Sequence, residues 1–279
     1  MFLLNDPIIN TGEMNMKRTL STLIAAPIIA LVATSLCLLS LTVSAADAVP
    51  LPPAADLDFQ VDFYITEFDK SMEDLAASKD FAVDSTVLAR DANALILVAL
   101  AAGMSEEVGK YKAAAPEIIK AAQAVAGAKD LAAAKSAVAD VKAALAKKSA
   151  DKLEWIKVAK VEPTMKLAVP RINTGMTRYL RTEALLKRGI PNIAGATAAL
   201  AAISQGLMPD YDETIKPDKK DEWIKFSTEF RDSALKANAA VHGFDKGDVT
   251  FDAFKEAVTA MKENCEHCHA VFTEGVAIE

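Results

Sequence analysis

Hydrophobic positions along this chain recur at intervals of three and four residues, and the two-residue alternation of a strand is missing. Read on the helical period, the pattern predicts helices over about 57–78, 84–102, 105–126, 130–150, 153–187, 191–206, 219–241 and 250–273. Breaks fall at Gly103, Gly127, Gly189-Ile190-Pro191, the stretch GLMPDYDETIKPDKK from Gly206, and GFDKGD from Gly243. Gly just past a helix and Pro just inside the next one match the chemistry of helix ends. Eight helices in a row predict an all-α chain built as two tandem antiparallel four-helix bundles, over 57–150 and 153–279.

An internal repeat supports that division. IKAAQAVAG from Ile119 matches LKANAAVHG from Leu235 at five of nine positions, and KSAVADVK from Lys135 matches KEAVTAMK from Lys255 at four of eight. The first pair lies 116 residues apart (Gly127 to Gly243) and the second 120 (Lys135 to Lys255), so four extra residues are expected in the second copy's loop. Alanine-rich helices match one another cheaply. Two matches in the same order at nearly one offset carry more weight, and they point to duplication.

The N-terminus reads as an export signal. Met16, Lys17 and Arg18 form a basic n-region, an apolar run follows from Leu23 to Val43, and Val43-Ser44-Ala45-Ala46 offers an A-x-A-like cleavage site. The residues before Met14 do not fit such a leader, so translation is expected to start at Met14 or Met16. Residues 1–45 are therefore assigned to a signal peptide and 46–56, ADAVPLPPAAD, to a Pro-rich linker. The expected location is the periplasm. An uncleaved leader would instead anchor the chain in a membrane. Cys37 lies inside the apolar run and leaves with the leader.

Alanine, leucine, lysine and glutamate dominate the composition, which favours helix throughout. The formal net charge is −7, and no Lys/Arg block is present that would neutralise a run of phosphates. Nucleic acid is accordingly not an expected partner.

Chemistry concentrates near the C-terminus. NCEHCHA, from Asn264, holds two of the three cysteines and two of the three histidines in the chain. C-x-x-C-H in an exported protein reads as a c-type haem attachment sequence. Two thiols one helical turn apart can add to the two vinyl groups on one edge of a haem, and the next histidine then reaches the iron axially. A zinc site would want four ligands, and only His242 and His267 remain to complete one. A redox dithiol wants its C-x-x-C at a helix N-terminus, whereas this one follows four turns of helix. A disulfide across one helical turn is geometrically poor. Phe251, Phe254, Val258, Met261, Cys265 and Cys268 advance by three and four residues, so both cysteines continue one core-facing stripe. In the first copy, Leu145, Lys148 and Ser149 fall at the positions of Cys265, Cys268 and His269, which predicts one haem c, with its iron, per chain.

A helical bundle with C-x-x-C-H on its last helix resembles the cytochrome c′ family of class II c-type cytochromes. The resemblance covers about 161–273, with NCEHCHAVF as its specific part. Phe272 fills the family's aromatic position, and Thr273 stands where a basic residue usually follows. The resemblance implies His269 as proximal iron ligand and a first-helix residue over the distal face. In VEPTMKLAVPRINTGMTRYL, from Val161, Met165 followed by Lys166 matches the family's methionine-lysine variant. Met176 is expected in the core, and Pro170 is expected to kink the helix between them.

Other residues carry plainer readings. His267 is expected to face solvent, His242 to sit at a helix C-terminus as a dipole partner, and Trp155 and Trp223 to anchor core or interface. Arg171, Arg178 and Arg181 are expected in exposed pairs. No second metal site and no nucleophile beside a base is evident, so an enzyme is not expected. The expected function is electron transfer with an unidentified redox partner. The alternative is a five-coordinate haem module that binds a small diatomic gas such as nitric oxide.

Overall fold

Apolar residues of the first helix bury at Leu57, Val61, Tyr64, Phe68 and Leu75, a stripe advancing by four and three that gives α1, Ala54–Ala76, one core-facing side. The computed structural model describes residues 49–273; the leader expected over 1–45, with Cys37, lies outside the described residues. α1 begins three residues inside the predicted linker. The next helices are α2 (Phe81–Met104), α3 (Ala115–Ala126) and α4 (Leu131–Ala144). A short α5 (Val161–Pro163) continues through a π turn (Thr164–Ala168) into α6 (Val169–Thr177). α7 (Glu183–Gly206), a 3-10 turn (Met208–Glu213), α8 (Lys220–Lys246) and α9 (Phe251–Phe272) complete the chain. The protein is all-α, and no strand occurs among the described residues.

Two helices occupy the middle. Every residue of α2 from Asp91 to Ala102 is buried, and so is every residue of α7 from Ala198 to Gly206. A helix that is apolar all round has neighbours all round. α2 packs on α1, α3 and α7; α7 packs on α8, α1 and α2; α8 packs on α9. α2 is long and apolar enough to cross a membrane by length and composition, but its apolar stretch is core of this bundle. Small residues set the closeness of the central contacts. A Cβ at Gly195 would lie 2.6 Å from Gln60 Nε2 and 2.7 Å from Phe59 Cδ1, and one at Gly206 would lie 2.6 Å from Leu97 Cδ2.

Several polar groups inside these contacts are paired. The Asn238 amide donates to Asp56 Oδ2 (2.7 Å) and to the Ala194 carbonyl (2.9 Å), and His242 Nε2 lies 2.7 Å from the same Asp56 oxygen. This ties α8 to α1 and α7. Arg171 of α6 reaches the buried carboxylate of Asp91 (2.9 Å) and that of Glu67, which ties α6 to α2 and α1. Arg171 was expected in an exposed pair. Its partners are instead shielded carboxylates, whose burial without a cation would be costly.

Helix boundaries depart from the sequence expectation where side chains override the pattern. The break predicted at Gly189-Ile190-Pro191 lies inside α7. Thr182 starts that helix by accepting the Leu185 N–H, and Gly189 is small because a Cβ there would meet the Tyr179 ring at 2.1 Å. The helices predicted over 130–150 and 153–187 are shortened to α4 and to α5 through α6. Between them the Ser149 N–H bonds the Ala113 carbonyl, Gln123 holds the Val158 carbonyl, and Asn93 takes the Lys160 N–H. The helix predicted from 105 starts only at a 3-10 turn, Lys112–Ala114, because the Asp58 carboxylate takes the N–H groups of Lys110 and Tyr111. α8 runs past Gly243 to Lys246 and ends at Gly247, whose φ of 83° is the left-handed cap that glycine accepts most readily. His242 therefore sits a full turn before the helix end.

Candidate functional site

α9 is capped by Thr250, whose hydroxyl accepts the Ala253 N–H. Of the predicted stripe, Phe254, Val258, Met261 and Cys268 are buried and Phe251 and Cys265 half-buried, and Phe272 is buried beyond it. The intervening residues Glu266 and His267 are exposed, as expected of positions facing away from α8.

Both cysteines are free thiols. Burial pushes each of them up to about 12, so they are protonated at neutral pH. They lie in the last two turns of a helix, where the dipole disfavours an anion. A dithiol meant for exchange chemistry needs a stabilised thiolate, and neither condition here supplies one. An uncharged thioether, by contrast, sits in an apolar seam without desolvation cost.

His269 follows directly. It is half-buried, and its Nδ1 is a buried atom without a hydrogen-bond partner. Burial holds the imidazole below its ordinary value and so keeps it neutral, the form that ligates a metal. Thr273, standing where a basic residue was expected from the family pattern, bonds the His269 carbonyl twice, through its N–H (3.0 Å) and its hydroxyl (2.7 Å). The helix stops there.

Aromatic rings frame this end. Phe272, one turn beyond His269, meets Trp223 edge-on with centroids 5.4 Å apart and Phe226 at 6.4 Å. Trp223 is buried and fixed by its indole N–H, which donates to the Leu207 carbonyl at 3.1 Å.

Met165 lies on the π turn, half-buried and packed against the core. The Val169 N–H bonds Thr164 O, five residues back, which inserts one extra residue into that turn. Pro170 was expected to kink the helix. The chain widens just ahead of the proline, which lacks an N–H and crowds the carbonyl four residues before it. Met176 is buried core, as expected. The Val161 N–H bonds Glu213 Oε2 (3.3 Å), and Lys157 pairs with Asp212. The start of α5, the 3-10 turn, the start of α8 and the end of α9 thus share one end of the bundle. Met165 follows one turn after Val161, on a turn that packs on α2.

Cys265, Cys268 and His269 together fit covalent attachment and axial ligation of one haem: two neutral thiols one turn apart on a buried seam, then a neutral imidazole with an unpartnered nitrogen. Among the described residues, no three or more His, Cys, Asp or Glu side chains converge as a metal cage, so the zinc alternative finds no ligand set there. Two polar features escaped the sequence reading. One is the Asp56–His242–Asn238 network. The other is Asp210, fully buried with both carboxylate oxygens unpartnered, where burial and the nearby Glu213 raise its value to about 7. Sequence could flag only that Asp210 stands in an acidic turn.

No family model, no curated protein and no solved structure matches this chain.

Proposed function

We propose that this chain is an exported c-type cytochrome that carries one haem, attached at Cys265 and Cys268 with His269 as proximal ligand, and that it transfers electrons. The observation that carries the reading is the placement of Cys265 and Cys268 one turn apart on the buried seam of α9, followed at once by the half-buried imidazole of His269. The haem supplies an iron that changes oxidation state by one electron. The protein's share is positional. Cys265 and Cys268 would hold the haem to α9, the last turn of α9 sets where His269 presents its ring, and Phe272, Trp223 and Phe226 would shield that side from water.

The architecture behind this proposal is a duplicated four-helix unit, α1–α4 and α5–α9. Helix boundaries support it. α2 and α7 are both 24 residues long. The glycines that cap α3 and α8 (Gly127, Gly247) lie 120 residues apart, as do the side-chain caps of α4 and α9 (Asp130, Thr250). The four extra residues of the second copy are one more turn of α8, not loop. α4 ends at Ala144, before the counterparts of the cysteines, whereas α9 continues through them.

One observation favours the second reading, a five-coordinate site open to a small gas: the turn carrying Met165 packs on α2. The sixth ligand separates the two. A low-spin spectrum unmoved by carbon monoxide supports electron transfer with Met165 on the iron; a high-spin spectrum that takes up the gas supports the alternative.

A further inference from the structure

Two buried polar anomalies lie at the same end of the bundle. His269 Nδ1 has no hydrogen-bond partner, and neither oxygen of Asp210 has one. They are joined by a short run of contacts. The Asp210 N–H donates to the Leu207 carbonyl at 3.0 Å. The same carbonyl takes the indole N–H of Trp223, whose ring meets Phe272 one turn past His269. A carboxylate with no donor at either oxygen has no hydrogen bond to hold its charge, so a change in the local field shifts its protonation.

We infer that Asp210 takes up a proton when the iron held at His269 is reduced, coupling the potential of that site to pH; this rests on the haem reading above. An external one-electron donor supplies the electron, and solvent water supplies the proton that neutralises the carboxylate. Electron and proton arrive together, so the net charge of the buried end is unchanged.

The surroundings of Asp210 suit that role. Its own turn contributes Tyr211, Asp212 and Glu213; the segment before α5 contributes Lys157, which pairs with Asp212. The first turn of α8 brings Lys219, engaged with Glu222, and Lys220, held over the Tyr211 ring at 4.7 Å. The last turn of α7 brings Ser204 and Gln205 and no charged group, and Ser204 is committed to the Ser227 carbonyl. Of these charges, Glu213 and Asp212 push the carboxyl toward its protonated form and Lys157 opposes them, leaving its value about 7. That is where a change in the iron's charge tips it.

The test uses the full-length haem-loaded chain and the Asp210→Asn variant. A reduced-minus-oxidised infrared spectrum near neutral pH should show a protonated carboxyl band that appears on reduction and shifts in heavy water, and the band should be missing from Asp210→Asn. The reduction potential should fall with rising pH in the wild type, with the slope lost in the variant. A haem-loaded chain without a carboxyl band on reduction, or a variant that keeps band and slope, overturns this inference alone. The wild-type spectrum decides even if the variant does not fold. A chain with no covalent haem overturns the functional reading and this inference with it.

Discussion

Asp210→Asn should make the protein more stable at alkaline pH and leave it nearly unchanged near pH 4. Asp210 is fully buried, both oxygens lack partners, and its value stands at about 7 against an ordinary 3.8. Between those two limits the folded chain keeps a proton that the unfolded chain has lost. The folded state then binds more protons, so stability falls as pH rises through the window and levels off above about 7. A gap of roughly three units at about 1.4 kcal/mol each sets an upper bound of about 4 kcal/mol. Relaxation around the charge reduces this, so a difference of about 2 kcal/mol is expected at pH 8. An asparagine has nearly the same shape and carries no charge, so it removes the slope. Urea unfolding of both proteins at pH 4.5, 6 and 8 gives the comparison, and titration of the other groups cancels in the difference. A stability difference that does not change with pH refutes the reasoning, because the carboxyl then titrates alike in both states.

Three further outcomes follow from the packing and the site. An excised 160–279 fragment strips α7 of its contacts with α1 and α2, and should dimerise or aggregate in size-exclusion chromatography; a well-behaved monomer would show that the second half does not need those contacts. Gly195→Val places carbon within 2.6–2.7 Å of Gln60 and Phe59, and should lower the urea midpoint by an amount equivalent to about 1–3 kcal/mol; an unchanged midpoint would show that α1 and α7 can separate freely. If the sulfur of Met165 occupies the sixth position, Met165→Ala should turn a low-spin spectrum high-spin and open it to carbon monoxide; identical spectra for both proteins exclude that role.

The helical class was legible because the three-and-four spacing of apolar residues is local. α1, α2 and α9 lie within a few residues of their expected limits. Misplaced boundaries were set by partners distant in sequence. Gly189 looked like a stop until the Tyr179 ring explained it, and residues 105–111 read as helix although Asp58 takes two of their N–H groups. The seam of Cys265 and Cys268 was legible for the same reason as the helices, since a C-x-x-C pair one turn apart is a local pattern. Asp210 and the Asp56–His242 contact were not. A carboxylate's burial depends on what folds over it, and Asp56 and His242 stand 186 residues apart.

The central claim is that Cys265, Cys268 and His269 hold one covalent haem. Its most direct test is the intact mass and absorption spectrum of the full chain made with export and haem maturation, after acid–acetone extraction. The account predicts a red polypeptide heavier by a single haem, and a colourless one when Cys265→Ala and Cys268→Ala are combined. Haem that leaves with the solvent, a chain of unmodified mass, or zinc in place of iron would contradict it.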